Sequence, residues 1–166
     1  MKTPKSQRLA VLIDADNLEI FAEDTFHRRI DYAALWRAVN SRDIVRALYF
    51  KPRDCPPRLR SFLEEHVGME VRTPPKNVDS YLTMTGVTLA ERVDTIVLCS
   101  GDGDYVPLVE YLRWRGCRSE VWAFPGATAL ALRQAADAFH PLDESILLPA
   151  TAKGLLVDHP PLREVA

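Results

Sequence analysis

The chain has 166 residues, a net charge of -2 and ordinary apolar and charged fractions, which fits one soluble domain able to bury its own core without disulfides or a structural metal. A strongly basic balance, and with it a general electrostatic grip on nucleic acid, is excluded, so any such binding must use local patches. Three cysteines, Cys55, Cys99 and Cys117, stand without zinc-type spacing, and an odd, unpaired set points to a reducing, cytoplasmic compartment.

Residues 1–7 are polar and basic and read as a loose tail, and the domain proper spans 8–146. Leu9 to Ile13 is a short apolar run of the kind buried on both faces of a parallel sheet. It is too short for a secretory segment, and no stretch approaches membrane-spanning length. It breaks into Asp14-Ala-Asp16-Asn17, with a short helix or loop over Leu18 to Asp24. Asp31 is placed to cap a helix through Asn40, with Tyr32, Leu35, Trp36 and Val39 on one face. Ile44 to Phe50 makes a second strand, and Pro56-Pro57 opens a helix through His66 that Gly68 ends.

Met69 to Thr73 is a brief third strand, followed by a rigid connector over 74–77 and a helix from Val78 to Arg92 with Gly86 as a weak point. Asp79 falls in its first turn, where the helix dipole favours a carboxylate. Thr95 to Cys99 is the fourth strand, and Asp104 is expected to cap a helix over Tyr105 to Arg115. Arg118 to Phe124 is a fifth strand, a helix follows over Thr128 to Ala138, and Phe139 to Leu142 adds an edge strand. Residues 147–166 lack periodicity and read as a tail. Strands alternating with helices predict an α/β fold, a mostly parallel sheet of five to six strands with helices on both faces.

Strands one and four both end in acids, and neighbouring strand ends at a chain reversal form the ligand crevice of an open parallel sheet. If the two strands are adjacent, the four carboxylates of Asp14, Asp16, Asp102 and Asp104 arrive at one rim. Crowded carboxylates raise one another's pKa or recruit a hard cation, which points to magnesium or manganese. Each acid taken alone also fits a cap or turn role. The four histidines and three tryptophans show no catalytic or metal spacing.

In Ile-Asp14-Ala-Asp-Asn17-Leu, Lys76-Asn-Val-Asp79, Ser100-Gly-Asp102-Gly-Asp104-Tyr and Leu132-Arg-Gln-Ala-Ala-Asp137, taken in this order, the chain resembles the NYN domain family, the LabA-like branch of the PIN-like nuclease superfamily, over about Leu9 to Leu142. The resemblance implies a three-layer α/β/α, PIN-like (Rossmann-like) fold and hydrolysis of RNA phosphodiester bonds with magnesium or manganese. It implies Asp14, Asp79, Asp102 and Asp104 as the catalytic and metal-holding acids, with Asn17 and Ser100 as neutral site residues. Lys51, Arg53 and Lys76, with Arg28 and Arg29, are the basic candidates for flanking phosphates. Many members carry a second aspartate six residues after the match to Asp79, where this chain has Thr85, and Asn77 stands where glycine is common. Asp16 is an extra acid that strand alternation would send to the opposite rim. The Thr85 departure keeps open an RNA-binding adaptor without catalysis. Asp14-x-Asp16 keeps open, at lower rank, a phosphatase of the haloacid dehalogenase type, with Asp14 as nucleophile. A homodimer is compatible with the chain but no residue demands it.

Overall fold

The computed structural model describes residues 7–40 and 42–150. Six strands form one sheet in the order β3-β2-β1-β4-β5-β6, and every pairing is parallel. The strands are β1 (Arg8–Asp14), β2 (Asp43–Phe50), β3 (Glu70–Arg72), β4 (Thr95–Cys99), β5 (Arg118–Ala123) and β6 (Ala138–Pro141). The helices are α1 (Ala15–Phe26), α2 (Tyr32–Val39), α3 (Pro57–Ser61, running on into a π-helical turn over Phe62–Val67), α4 (Val78–Leu89), α5 (Val106–Trp114) and α6 (Leu130–Ala135).

Strand β1 shows why the sheet is covered twice. Leu9, Val11 and Ile13 pack into one core with Leu18 of α1, Leu35 of α2 and Leu63 after α3. Ala10 and Leu12 pack into the other with Leu82 of α4, Leu108 of α5 and Leu132 of α6. Successive side chains of a strand point to opposite faces, so a run without polar residues is what a central strand in a three-layer α/β/α sandwich requires. Chain order reverses between β1 and β4. Their carboxyl ends therefore flank the crevice where ligands bind in sheets of this topology.

Local chemistry sets the ends of the elements. Asp31 caps α2 through the Ala34 amide (3.0 Å), as the sequence predicts. Gly68 closes the π-helical turn at φ 79°, and Asn77 enters α4 at φ 54°, a left-handed conformation that glycine and asparagine tolerate best. Gly86 is more than a weak point: a Cβ there would lie 2.9 Å from Leu108 Cδ1, so its absence lets α5 pack against α4.

Three expectations are corrected. The segment after β1 is a full helix starting at Ala15, because Asp14 itself caps it. Asp102, not Asp104, is the cap after β4: its side chain accepts from the Asp104 amide (2.9 Å) and opens a 3-10 turn over Gly103–Tyr105 before α5 begins. The helix expected over 128–138 is confined to Leu130–Ala135, since Thr128 and Ala136 are extended.

Packing continues past residue 146: Leu147 bridges Ile30, and the Leu148 amide donates to the Arg29 carbonyl (2.8 Å). The expected N-terminal tail, except Gln7, and the tail beyond residue 150 lie outside the described residues. Among the described residues no helix is long and apolar enough to cross a membrane.

Candidate metal centre

The β1 and β4 register pairs Ile13 with Cys99, which brings Asp14 level with Ser100 at the carboxyl rim. Helix α1 starts directly after Asp14, and its first turn places Asn17 so that its Oδ1 accepts the Gly101 amide (2.8 Å), tying the end of β1 to the turn after β4. That turn is tight: a Cβ on Gly101 would come within 2.2 Å of the Ala127 carbonyl oxygen. Only glycine fits there, and the chain is thereby aimed so that Asp102 faces Asp14. Asp79 arrives from the first turn of α4.

These three acids meet. One carboxylate oxygen from each of Asp14, Asp79 and Asp102 lies within 4.8 Å of the others. Asp14 is buried, 5 % exposed; Asp79 and Asp102 are half-buried. They line a cleft of about 500 Å³ whose wall also includes Asp16, Asn17, Ile20 and Asp24. Burial holds the Asp14 carboxyl up to about 6, helped by the charge of Asp79 and opposed by the Asn17 amide and the Tyr105 and Ser100 hydroxyls. Asp79 is also raised, by burial and then by the charges of Asp102 and Asp104. None of these main influences is a cation. Oxygen donors crowded at this spacing, one of them buried, fit the preference of a hard divalent ion for carboxylate ligands.

Tyr105 is buried in the core on the side of α4, α5 and α6. Its hydroxyl does something the apolar pattern cannot show. It lies 3.1 Å from Asp14 Oδ2 and 3.3 Å from Asp79 Oδ1, bridging two of the acids with one proton. The only sequence signal for this is a tyrosine directly after Asp104. Ser100 completes the set: its hydroxyl lies 3.3 Å from Asp14 Oδ2 and accepts the Asp102 amide (3.2 Å).

Other expected residues take different places. Asp104 is exposed and stands outside the three-acid group, acting on Asp79 only through its charge. Asp16 sits on the same rim, since the chain is already helical there, and its carboxylate pairs with Lys51 (3.1 Å). Lys51 also pairs with Glu19, so its ammonium is engaged within the protein. Arg28 is likewise committed, to Glu144 and the Leu147 and Leu148 carbonyls. Arg53 and Lys76 are exposed, and the Arg53 amide donates to the Pro74 carbonyl (2.8 Å), which brings the loop after β2 alongside the connector into α4. Pro52 and Asn77, which line the cleft, are their chain neighbours, while Arg53 and Lys76 themselves are not part of its wall. At Thr85 the hydroxyl donates to the Tyr81 carbonyl of its own helix (2.8 Å), and α4 contributes one carboxylate to the group, from Asp79.

Comparison with known proteins bears on the family and the fold. The NYN domain profile matches residues 8–143. Among solved structures, a protein of unknown function from Vibrio parahaemolyticus RIMD 2210633 superposes with a TM-score of 0.81 at 26% identity, covering 89% of this chain and 100% of that one. No curated protein matches the chain.

Proposed function

This chain belongs to the NYN domain family, and from that premise we propose that it is a metal-dependent ribonuclease, hydrolysing RNA phosphodiester bonds with magnesium or manganese held by Asp14, Asp79 and Asp102. The observation that carries the reading is the meeting of these three carboxylates, from β1, the start of α4 and the end of β4, within 4.8 Å at the strand-order reversal. A bound divalent ion supplies Lewis acidity toward a phosphate oxygen and activation of water. Asp14, Asp79 and Asp102 would hold the ion, and Tyr105 and Ser100 fix the Asp14 carboxylate. Asp79, half-buried at the start of α4 and touched by the Tyr105 hydroxyl (3.3 Å), would complete the carboxylate set or orient a water of the ion. Asp104 remains an outer charge. Arg53 and Lys76, chain neighbours of cleft residues, offset the repulsion between an acidic cleft and a polyanion.

The test is cleavage of labelled single-stranded RNA with magnesium or manganese by the parent protein and by Asp102→Asn. Asparagine keeps the cap to Asp104 but removes a charged ligand, so the rate should fall about a hundredfold or more. Equal rates would remove the assignment.

Thr85, at a position commonly acidic in relatives, favours a second reading, an RNA-binding adaptor without hydrolysis. Calorimetric titration separates the two: no heat of binding at millimolar magnesium or manganese supports the adaptor. The phosphatase reading needs Asp16 as a free acid, and Asp16 is ion-paired to Lys51.

A further inference from the structure

Helix α1 has two working sides. Asn17 and Asp24 face the acid cleft, Glu19 and Glu23 face a neighbouring cavity of about 470 Å³, and Asp16 stands in the wall of both. Ile20 borders both and is 57% exposed, an apolar crest between the two hollows. The volume lies in the range of small-ligand sites, roughly 300–1,000 Å³.

The two hollows differ in charge. Five aspartates and no lysine or arginine line the acid cleft, whereas Lys51, Arg28, Arg29 and Arg58 stand in the wall of its neighbour against three acids. The neighbour's floor is apolar and rigid. Ile30 and Leu59 are buried, and Tyr32 is held by its hydroxyl on Glu19 (2.6 Å), which also accepts from Tyr49 (2.8 Å). Lys51 uses two of its three ammonium donors on Asp16 and Glu19, which leaves one for a ligand acceptor.

We infer that this cavity is a nucleobase subsite: an unpaired base of an RNA strand, one or two nucleotides from the phosphate over the acids, crosses Ile20 and seats against Tyr32 and Lys51. The inference rests on the ribonuclease reading for the place of that phosphate. A flat ring with carbonyl acceptors on its edge matches an apolar floor with one free donor. With four cations against three acids in its wall, this cavity would repel the next phosphate less than the acid cleft does. A base in a duplex has its edge and both faces occupied, so this subsite selects single strands.

The experiment uses the full chain and short single-stranded RNAs carrying 2-aminopurine at successive positions, with magnesium, in an Asp102→Asn background so that the strand stays intact. The expected result is a fluorescence change confined to one or two adjacent positions, about tenfold weaker binding by Ile20→Ala, as for loss of apolar contact area, and no change for Trp114→Ala, which is more exposed and lies on α5. The matching duplex should bind more weakly than the single strand. In parallel, the parent protein is tested for metal-dependent cleavage. Cleavage combined with an unaltered Ile20→Ala variant, or with fluorescence changes spread along the whole strand, overturns the subsite and leaves the nuclease standing. A localised signal that Ile20→Ala removes, without cleavage by the parent, upholds the subsite and removes the nuclease. Absence of single-strand binding, or equal binding of the duplex, overturns the subsite.

Discussion

Tyr105 holds one hydroxyl proton between two acids (3.1 Å to Asp14 and 3.3 Å to Asp79), so removing the hydroxyl leaves oxygens of both carboxylates short of a donor. A buried acceptor without its partner costs about 1–3 kcal/mol. Tyr105→Phe should lose about that much in urea unfolding without metal while keeping its far-ultraviolet spectrum; an unchanged midpoint would show that the hydroxyl carries no such load. Asp14 makes the opposite kind of prediction. Its folded pKa, pushed up to about 6, lies above the ordinary carboxyl value near 4. The folded state therefore binds this proton more tightly than the unfolded chain, and ionised Asp14 costs stability that accumulates as pH rises from about 4 to about 6, reaching ~3 kcal/mol at most. Asp14→Asn should thus be more stable than the parent at about pH 8 in chelator, with the advantage fading toward pH 4. Manganese should narrow or reverse that order by stabilising only the parent. A variant less stable than the parent at pH 8 in chelator would contradict this account of the buried charge.

At the scale of elements, the site depends on how β1 and β4 let go of the sheet. Each strand gives way to an aspartate that caps the turn or helix after it: Asp14 accepts the Asn17 amide and Asp102 the Asp104 amide. One residue type can thus serve local structure and a metal site together, so the cap reading and the metal reading of these acids do not exclude each other. That double use also explains what the sequence shows and what it hides. The strand ends, the Asp31 cap and the Gly68 stop were legible, because hydrophobic runs and helix caps are short-range patterns. The commitment of Lys51 to Asp16 and Glu19 was not, because it joins β2's end to α1 and depends on which face of α1 turns inward. Gly101 is the element-scale test. Its Cβ would collide with the Ala127 carbonyl, so Gly101→Ala must shift the β4 turn away from the entrance to α6. It should cost about 1–3 kcal/mol in stability and weaken manganese binding more than tenfold through displacement of Asp102. Unchanged calorimetric affinity would show that this turn does not aim the acid.

For the whole molecule, one topological fact does most to place the centre: β1 and β4, far apart in the chain, lie side by side where strand order reverses. Every helix that follows a strand begins at the carboxyl rim, so a first-turn acid such as Asp79 is delivered to the same edge without any local signal for it. The alternation of strands and helices made this layered sheet legible, and the family motifs made its acids legible. The Tyr105 bridge and the cavity beside α1 arise only when the packed layers bring distant segments together. The most direct measurement is anomalous diffraction from crystals of the protein grown in manganese. The account predicts a peak bounded by Asp14, Asp79 and Asp102, lost in Asp102→Asn; no peak there at saturating manganese, or an ion held by other residues alone, would contradict it.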